Sequence, residues 1–374
     1  MSIKIGKIMD IEIKLHYTWL IIFFFITWSI ALGYARLQYL NLPSIFYWII
    51  GVATAFIVFL SVLIHELFHS LIAKRKGLPV PRITLFIFGG VAEIAEEPKN
   101  PIVEFKMAAA GPLSSLMIAM VFALGWIASR FLNLSPLIKA PLQYGFTINL
   151  MLALFNLIPA FPMDGGRIFR AIVWKRTNDV VKATRTSALV AEGFSYMFMV
   201  FGFIWLFFGA LMNGLWLIFI GWFLKSGAEA SLRQTIISQA LAKVKIKDIM
   251  SSPVCTINPN NSLMEAVENC FYKYKHGGFP VVENNELKGM LTLEDLRKVP
   301  KEAWGETLVK QAMTSAEKLL TIKPEDPALE ALIKMSSFKI GRLPVIDEGK
   351  LIGIVTRSDV IHAIRTRLEI GEVK

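Results

Sequence analysis

Six stretches of almost uninterrupted apolar residues, each near the ~20 residues a helix needs to cross a bilayer, constrain this chain more than any other feature. They cover about residues 16–35, 46–64 running on to 73, 107–129, 141–163, 188–210 and 212–224. With 54% hydrophobic and 18% charged residues, the 374-residue chain is too apolar for an ordinary soluble, disordered or fibrous protein. Only two cysteines occur, Cys255 and Cys270, outside any CxxC spacing. Neither a disulfide framework nor a thiolate metal site is expected, and the five histidines become the candidate ligands.

Charge follows the same division. Residues 1–240 hold 20 Lys and Arg against 11 Asp and Glu, whereas residues 241–374 hold 20 against 18, so the apolar part carries +9 of the formal +11. A basic excess among apolar runs points to a bilayer and not to nucleic acid. Placing the N-terminus in the cytoplasm puts 17 of those 20 cations on that side, Lys99 and Arg170 among them, and leaves Arg36, Arg130 and Lys139 outside. Positive loops stay inside, so residues 236–374 are expected in the cytoplasm of a multi-pass cell-membrane protein. The first run starts too late, and lacks the small-residue cleavage site, for a removed signal peptide; a permanent helix is expected.

The second run ends in His65-Glu66-Leu-Phe-His69, an HExxH pattern in an otherwise uncharged apolar segment. On a helix the two imidazoles lie about 40° apart and roughly 6 Å along the axis, on one face. That span suits two Zn–N bonds, and Glu66 beside them can take the proton of an attacking water. Ionisable groups cost roughly 2.5–3.5 kcal/mol each at the bilayer centre on insertion scales, which a metal can offset. The plainer reading is a buried polar pair facing a helix bundle.

A catalytic zinc takes three protein ligands and leaves one position open. The fourth run supplies Asn156-Leu-Ile-Pro159-Ala-Phe-Pro162-Met-Asp164-Gly165-Gly166, and Asp164 is the only Asp within the runs and their ends. Under the orientation above, the second and fourth runs both descend toward the cytoplasm, and His65 lies about 14 Å before Lys74 at 1.5 Å per residue. Pro159 and Pro162 break the helical ladder, which is tolerated at membrane depth only against protein or a wet cavity. Asp164-Gly-Gly also suits a simple turn at a helix exit, and Asn156 suits either an oxyanion contact or helix packing.

HExxH at His65–His69 and the NxxPxxxxDG pattern from Asn156 to Gly165 resemble the site-2 protease family of intramembrane zinc metalloproteases, over roughly residues 10–210. The resemblance implies that His65, His69 and Asp164 bind one Zn2+, that Glu66 is the general base, and that Asn156 assists at the scissile carbonyl. The segment from Thr84 to Ile94, with Gly89-Gly90 at its centre, looks like the family's substrate-facing re-entrant strand; a plain loop is its other reading. Ala108 to Ser115, with Gly111-Pro112, places small residues where helices approach and is read as packing beside the site.

Residues 246–300 and 309–366 repeat one another. Phe279-Pro280-Val281-Val282 matches Leu343-Pro344-Val345-Ile346, and Gly289, Thr292 and Asp295 match Gly353, Thr356 and Asp359, all 64 apart. This repeat resembles a tandem CBS pair. The resemblance implies that Thr292, Asp295, Thr356 and Asp359 contact an adenine nucleotide, ATP or AMP, with Arg342 adding phosphate charge. Many such pairs instead dimerise without ligand, and a homodimer through this pair is the other expectation.

The fold expected is a polytopic α-helical membrane domain over 1–235, about six transmembrane helices with a re-entrant β segment, followed by a cytoplasmic α/β tandem CBS domain over 236–374. The function expected is intramembrane zinc endopeptidase action on a transmembrane protein near its cytoplasmic side, modulated by nucleotide at the CBS pair. The alternative is a CBS-regulated transporter or channel with the His/Asp cluster lining its path. Repeat symmetry within the membrane part, which would favour transport, is absent from the sequence.

Overall fold

The computed structural model describes residues 2–39, 42–87, 89–93, 98, 100–284 and 286–371; Phe88, Ile94 and Lys99 of the expectations above lie outside them. The chain divides into two compact units, Met1–Arg233 and Gln234–Lys374.

The first unit opens with a hairpin, β1 (Ser2–Ile8) and β2 (Ile11–His16), which leads through Tyr17 into α1 (Thr18–Ser29). A π-helical stretch, Ile30–Ala35, carries α1 into α2 (Arg36–Gln38). There follow α3 (Ser44–Arg75), β3 (Arg82–Phe86), β4 (Gly89–Glu93), α4 (Pro101–Phe131), α5 (Pro136–Asn156), α6 (Asp164–Thr177), α7 (Val180–Phe207) and α8 (Leu211–Leu241). Starts follow capping chemistry: Asn100, Ser135 and Asp179 accept from the backbone N–H of Ile102, Leu137 and Lys182, with Pro at the first helical position of α4 and α5.

Among the described residues five helices are long and apolar enough to cross a membrane: Thr18–Gln38, Ser44–Arg75, Pro101–Phe131, Val180–Phe207 and Leu211–Leu241. The fourth expected run behaves differently. Its helix α5 begins earlier, carries Lys139, Gln143 and Asn149, and stops at Asn156. Residues 157–163 form turns before Asp164 starts α6, as the two prolines require. The last run, expected over 212–224, sits inside the 31-residue α8, because polar turns prolong a helix beyond its apolar stretch.

Four strands form one sheet in the order β1-β2-β3-β4, parallel between β2 and β3 and antiparallel elsewhere. The segment around Gly89-Gly90 is therefore a hairpin of strands, with β4 at the sheet edge. The N-terminal strands were not expected from the sequence. Ile11 and Ile13 alternate with Glu12 and Lys14, and Ile11 packs with Ile83, Leu78 and Val80 onto Ala73 and Met107 near the ends of α3 and α4.

In the second unit β5 (Gly278–Glu283) pairs with β6 (Glu286–Thr292) as β8 (Arg342–Asp347) pairs with β9 (Lys350–Thr356), with the same bulge in each copy. The helices are α9 (Leu263–Ala266), extended by a π-helical stretch Val267–Tyr272, then α10 (Leu293–Arg297), α11 (Val309–Ala312), α12 (Ala328–Ser337) and α13 (Arg357–Ile370). Each copy sends its leading segment into the other. Strand β7 (Thr314–Ser315) of the second copy pairs with β6, and Ser251 of the first bridges Ile354 of β9. Val309 lies in the core of the first copy, while Leu241, Val244 and Ile246 lie in the core of the second. Cys255 and Cys270, 15 residues apart in sequence, approach to 3.7 Å between sulfurs as free thiols; burial pushes the Cys270 thiol up to about 12.

Candidate active site

Helix α3 carries His65 and His69 on its buried face, and α6 begins with Asp164. The three meet: His65 Nε2 and His69 Nε2 lie 3.2 and 3.1 Å from Asp164 Oδ2 and 3.2 Å from each other. Each imidazole is held from behind. His69 Nδ1 donates to the Met107 carbonyl at 2.7 Å, and His65 Nδ1 pairs with Ser115 Oγ at 2.9 Å. A carbonyl only accepts, so His69 carries a proton on Nδ1 and, when neutral, turns the Nε2 lone pair inward.

Backbone geometry gives these side chains room. Gly111 of α4 faces the imidazoles, and a Cβ built there would collide with His69 Nε2 and lie 2.6 Å from His65 Nε2. Gly165 and Gly166 lie under the 157–161 turn, where a Cβ on Gly166 would be 2.6 Å from the Phe161 nitrogen. No side chain fits there, which is why Asp164 is followed by two glycines. That turn rests on α7 and α8 through Ala160, Phe161, Met163, Ala191, Leu224 and Ala228.

A buried ion pair ties α6, which carries Asp164, to α4, which holds the imidazoles from behind. Arg170 of α6, which charge counting assigned to a cytoplasmic loop, is buried against Glu104 of α4, and its guanidinium lies 5.4 Å from the Phe161 ring. Glu104 stands one turn from Met107, so the pair fixes α6 relative to the carbonyl that holds His69. Asn149 of α5 donates to Ser61 Oγ at 2.8 Å, one turn before His65.

Glu66 sits beside the triangle, with Gly90 of β4 packed on it: a Cβ at Gly90 would lie 2.5 Å from Glu66 Cγ. Among the described residues the outer edge of β4 is unpaired. Asn156 ends α5 with Nδ2 bonded to its own Leu152 carbonyl at 2.9 Å, and it joins none of the hydrogen bonds of the triangle. Sequence reasoning missed Met107, Gly111 and Ser115 as shapers of the site; Ala108 to Ser115 had been read as packing alone.

In the second unit Thr292 and Thr356 cap α10 and α13. Their hydroxyls donate to Asp295 and Asp359 at 2.6 and 2.7 Å, and the carboxylates accept the threonine N–H groups in return. Lys298 also reaches Asp295. Arg342 pairs in register with Thr356 yet lays its guanidinium over Gly277 and Gly278, beside Thr292. Its backbone thus neighbours one Thr–Asp cap and its guanidinium lies near the other. Burial is the one cause lowering its pKa, with no acidic group among the described residues contributing.

The donor set fits zinc. Three ligands about 2.0–2.1 Å from a tetrahedral ion are about 3.3 Å apart, against the 3.1–3.2 Å found here. Comparison with known proteins agrees. Peptidase family M50 matches residues 53–134 and 132–204, and the CBS domain matches 246–302 and 309–366. Rip3 of Mycobacterium tuberculosis is 30% identical over 372 residues, 97% of this chain and 93% of that one. A zinc metalloprotease of Methanocaldococcus jannaschii is 34% identical over 364 residues, 97% and 96% of the two chains. The solved site-2 protease from Methanocaldococcus jannaschii is 33% identical, covers 62% of this chain and 96% of its own, and superposes with a TM-score of 0.40. Matched over 97% of its length by these two zinc metalloproteases, the chain belongs to peptidase family M50, the site-2 protease metalloproteases, and carries a tandem CBS pair.

Proposed function

We propose that His65, His69 and Asp164 hold one zinc ion within the membrane and that the enzyme hydrolyses a peptide bond of a transmembrane protein near its cytoplasmic side. One observation carries this reading: two imidazole Nε2 atoms and a carboxylate oxygen converge to 3.1–3.2 Å. A proton can bridge one such pair, but a single divalent cation satisfies all three donors at once. Zinc at that point supplies Lewis acidity toward the scissile carbonyl and the attacking water.

Glu66 takes the proton of that water and returns it to the leaving amine. The free edge of β4, lying on Glu66, pairs with substrate backbone once the substrate helix unwinds. Asn156, with a second amide proton beyond its bond to Leu152, steadies the same stretch. The reading is tested by chelation. Stripping the metal abolishes cleavage of a transmembrane substrate in detergent, and stoichiometric zinc restores it. Cleavage that survives a strong chelator ends the zinc reading, and solute movement in liposomes indifferent to zinc moves the chain to the transporter class.

Ser115→Ala removes the partner of His65 Nδ1. Outer partners of metal-bound histidines are worth about 10–100-fold in metal affinity or activity, so a zinc-buffered activity titration shifts by that amount. A curve overlying the parent would confine Ser115 to packing.

For the second unit we infer that an adenine nucleotide, ATP or AMP, places its phosphates on Arg342 and modulates access to the protease. A half-buried guanidinium with no anionic partner is unfavourable, and a phosphate relieves it. Charged hydrogen bonds contribute about 1.5–3 kcal/mol, so Arg342→Ala weakens nucleotide binding about ten- to a hundredfold in calorimetry of the full chain. Equal affinity in parent and variant would remove Arg342 from the site.

A further inference from the structure

The hairpin β1–β2 leaves an apolar face uncovered where the chain enters the bilayer. The register pairs Ile3 with Leu15 and Ile8 with Ile11, so both isoleucines share the sheet face of Ile11 and Ile13. Under α3 and α4 that face is closed, Ile11 and Ile13 being 1% and 4% exposed. One strand further out it is open: Ile3 is 74% exposed and Ile8 43%, with Ile5 of the bulge at 59% and Met9 of the turn at 64%. The opposite face carries Lys4, Lys7, Glu12 and Lys14, linked as Lys4–Glu12 and Lys14–Glu12. Such a strand is apolar on one side and predominantly basic on the other.

Its height is fixed at both ends. Ser2 pairs with His16, two residues from the start of α1, and the Trp19 ring of α1 packs at a tilt on Phe59 of α3, their centroids 4.9 Å apart. At the far end Lys74 Nζ donates to the Met9 carbonyl at 2.6 Å. The hairpin therefore lies toward the Lys74 end of α3, its Ile11 sharing a cluster with Leu67, Ile72 and Ala73 of that helix. The first membrane helix has 21 residues and α3 has 32, so α1 stops short on this side and the hairpin occupies the level it leaves.

We propose that the outer face of β1 lies in the headgroup–acyl boundary of the leaflet that α1 enters, with Ile3 and Ile8 against acyl chains and Lys4, Lys7 and Lys14 toward anionic headgroups and water. Amphipathic elements bind bilayers in this way, and the patch is continuous with the membrane-facing surface of α1, where Leu20, Ile21 and Phe24 are exposed. Because β1 joins β4 through β2 and β3, the bilayer then sets the height of the strand edge at Glu66. The inference rests on α1 spanning the membrane, and its test separates the two.

Single cysteines are placed by Ile3→Cys, Lys4→Cys, Lys7→Cys, Ile8→Cys and, as a control on α1, Phe24→Cys, each in the full chain with Cys255→Ala and Cys270→Ala. Each carries an environment-sensitive fluorophore in vesicles of equal phosphatidylcholine and phosphatidylglycerol. Lipid bearing a shallow doxyl quencher dims the probe roughly twofold at positions 3 and 8 and spares 4 and 7, as face-on burial in the interface demands, while deep doxyl lipid dims position 24. Equal quenching on both faces, or protection of 3 and 8 from aqueous iodide without quenching by lipid, overturns the hairpin proposal, the latter showing protein on that face. Loss of the signal at position 24 instead overturns the span.

Discussion

Glu66→Gln loses about 10²–10⁴-fold in single-turnover cleavage of a transmembrane substrate, the usual contribution of a general base, and keeps one zinc per chain. Glutamine matches the shape of glutamate, so the contact with Gly90 survives and β4 stays in place. The amide cannot accept the proton of the attacking water. Glu66 contributes no atom to the triangle of His65, His69 and Asp164, so metal retention is independent of it. Undiminished turnover would exclude Glu66 as the base, and loss of zinc alongside activity would make it part of the metal's hold. The inactive variant also retains substrate, and what co-purifies with it identifies the partner.

Gly111→Ala produces a second large loss by another route. The added methyl would lie against the Nε2 atoms of both histidines, in the space a bound metal needs. Zinc per chain and cleavage should both fall below detection. Helix propensity works the other way, alanine being favoured over glycine in a helix interior by about 1 kcal/mol. Overpacking against two buried imidazoles costs about 1–3 kcal/mol, so the melting temperature without metal should fall by only a few degrees, which separates this outcome from general unfolding. A variant with full zinc would mean that α4 slides to make room, and the close approach of α4 to α3 would then not shape the site.

Some of this site was legible because its chemistry is local in sequence. His65 and His69 need only a helix to share a face, and Asp164 was the one carboxylate of its kind among the apolar runs. What held these side chains was not legible. The Met107 carbonyl has no side-chain signature, and Ser115 acts on His65 across 50 residues. Arg170 looked like a loop cation because its burial depends on Glu104, 66 residues away. The N-terminal strands did have a signal, the alternation from Ile11 to Leu15, which lies just ahead of the first apolar run and was overshadowed by it. Helix ends were misjudged where amphipathic turns extend beyond the apolar stretch. The Thr–Asp pairs of the repeat were found by their spacing, but spacing alone does not reveal that both already serve as helix caps.

The exchange of leading segments between the two CBS copies makes them inseparable as folding units. Removing either one would strip the survivor of hydrophobic residues at its centre and bare a run of unmet backbone donors and acceptors. Neither half can respond by melting alone, so any signal the pair receives is felt by both halves together, and evolution can discard or borrow them only as a set.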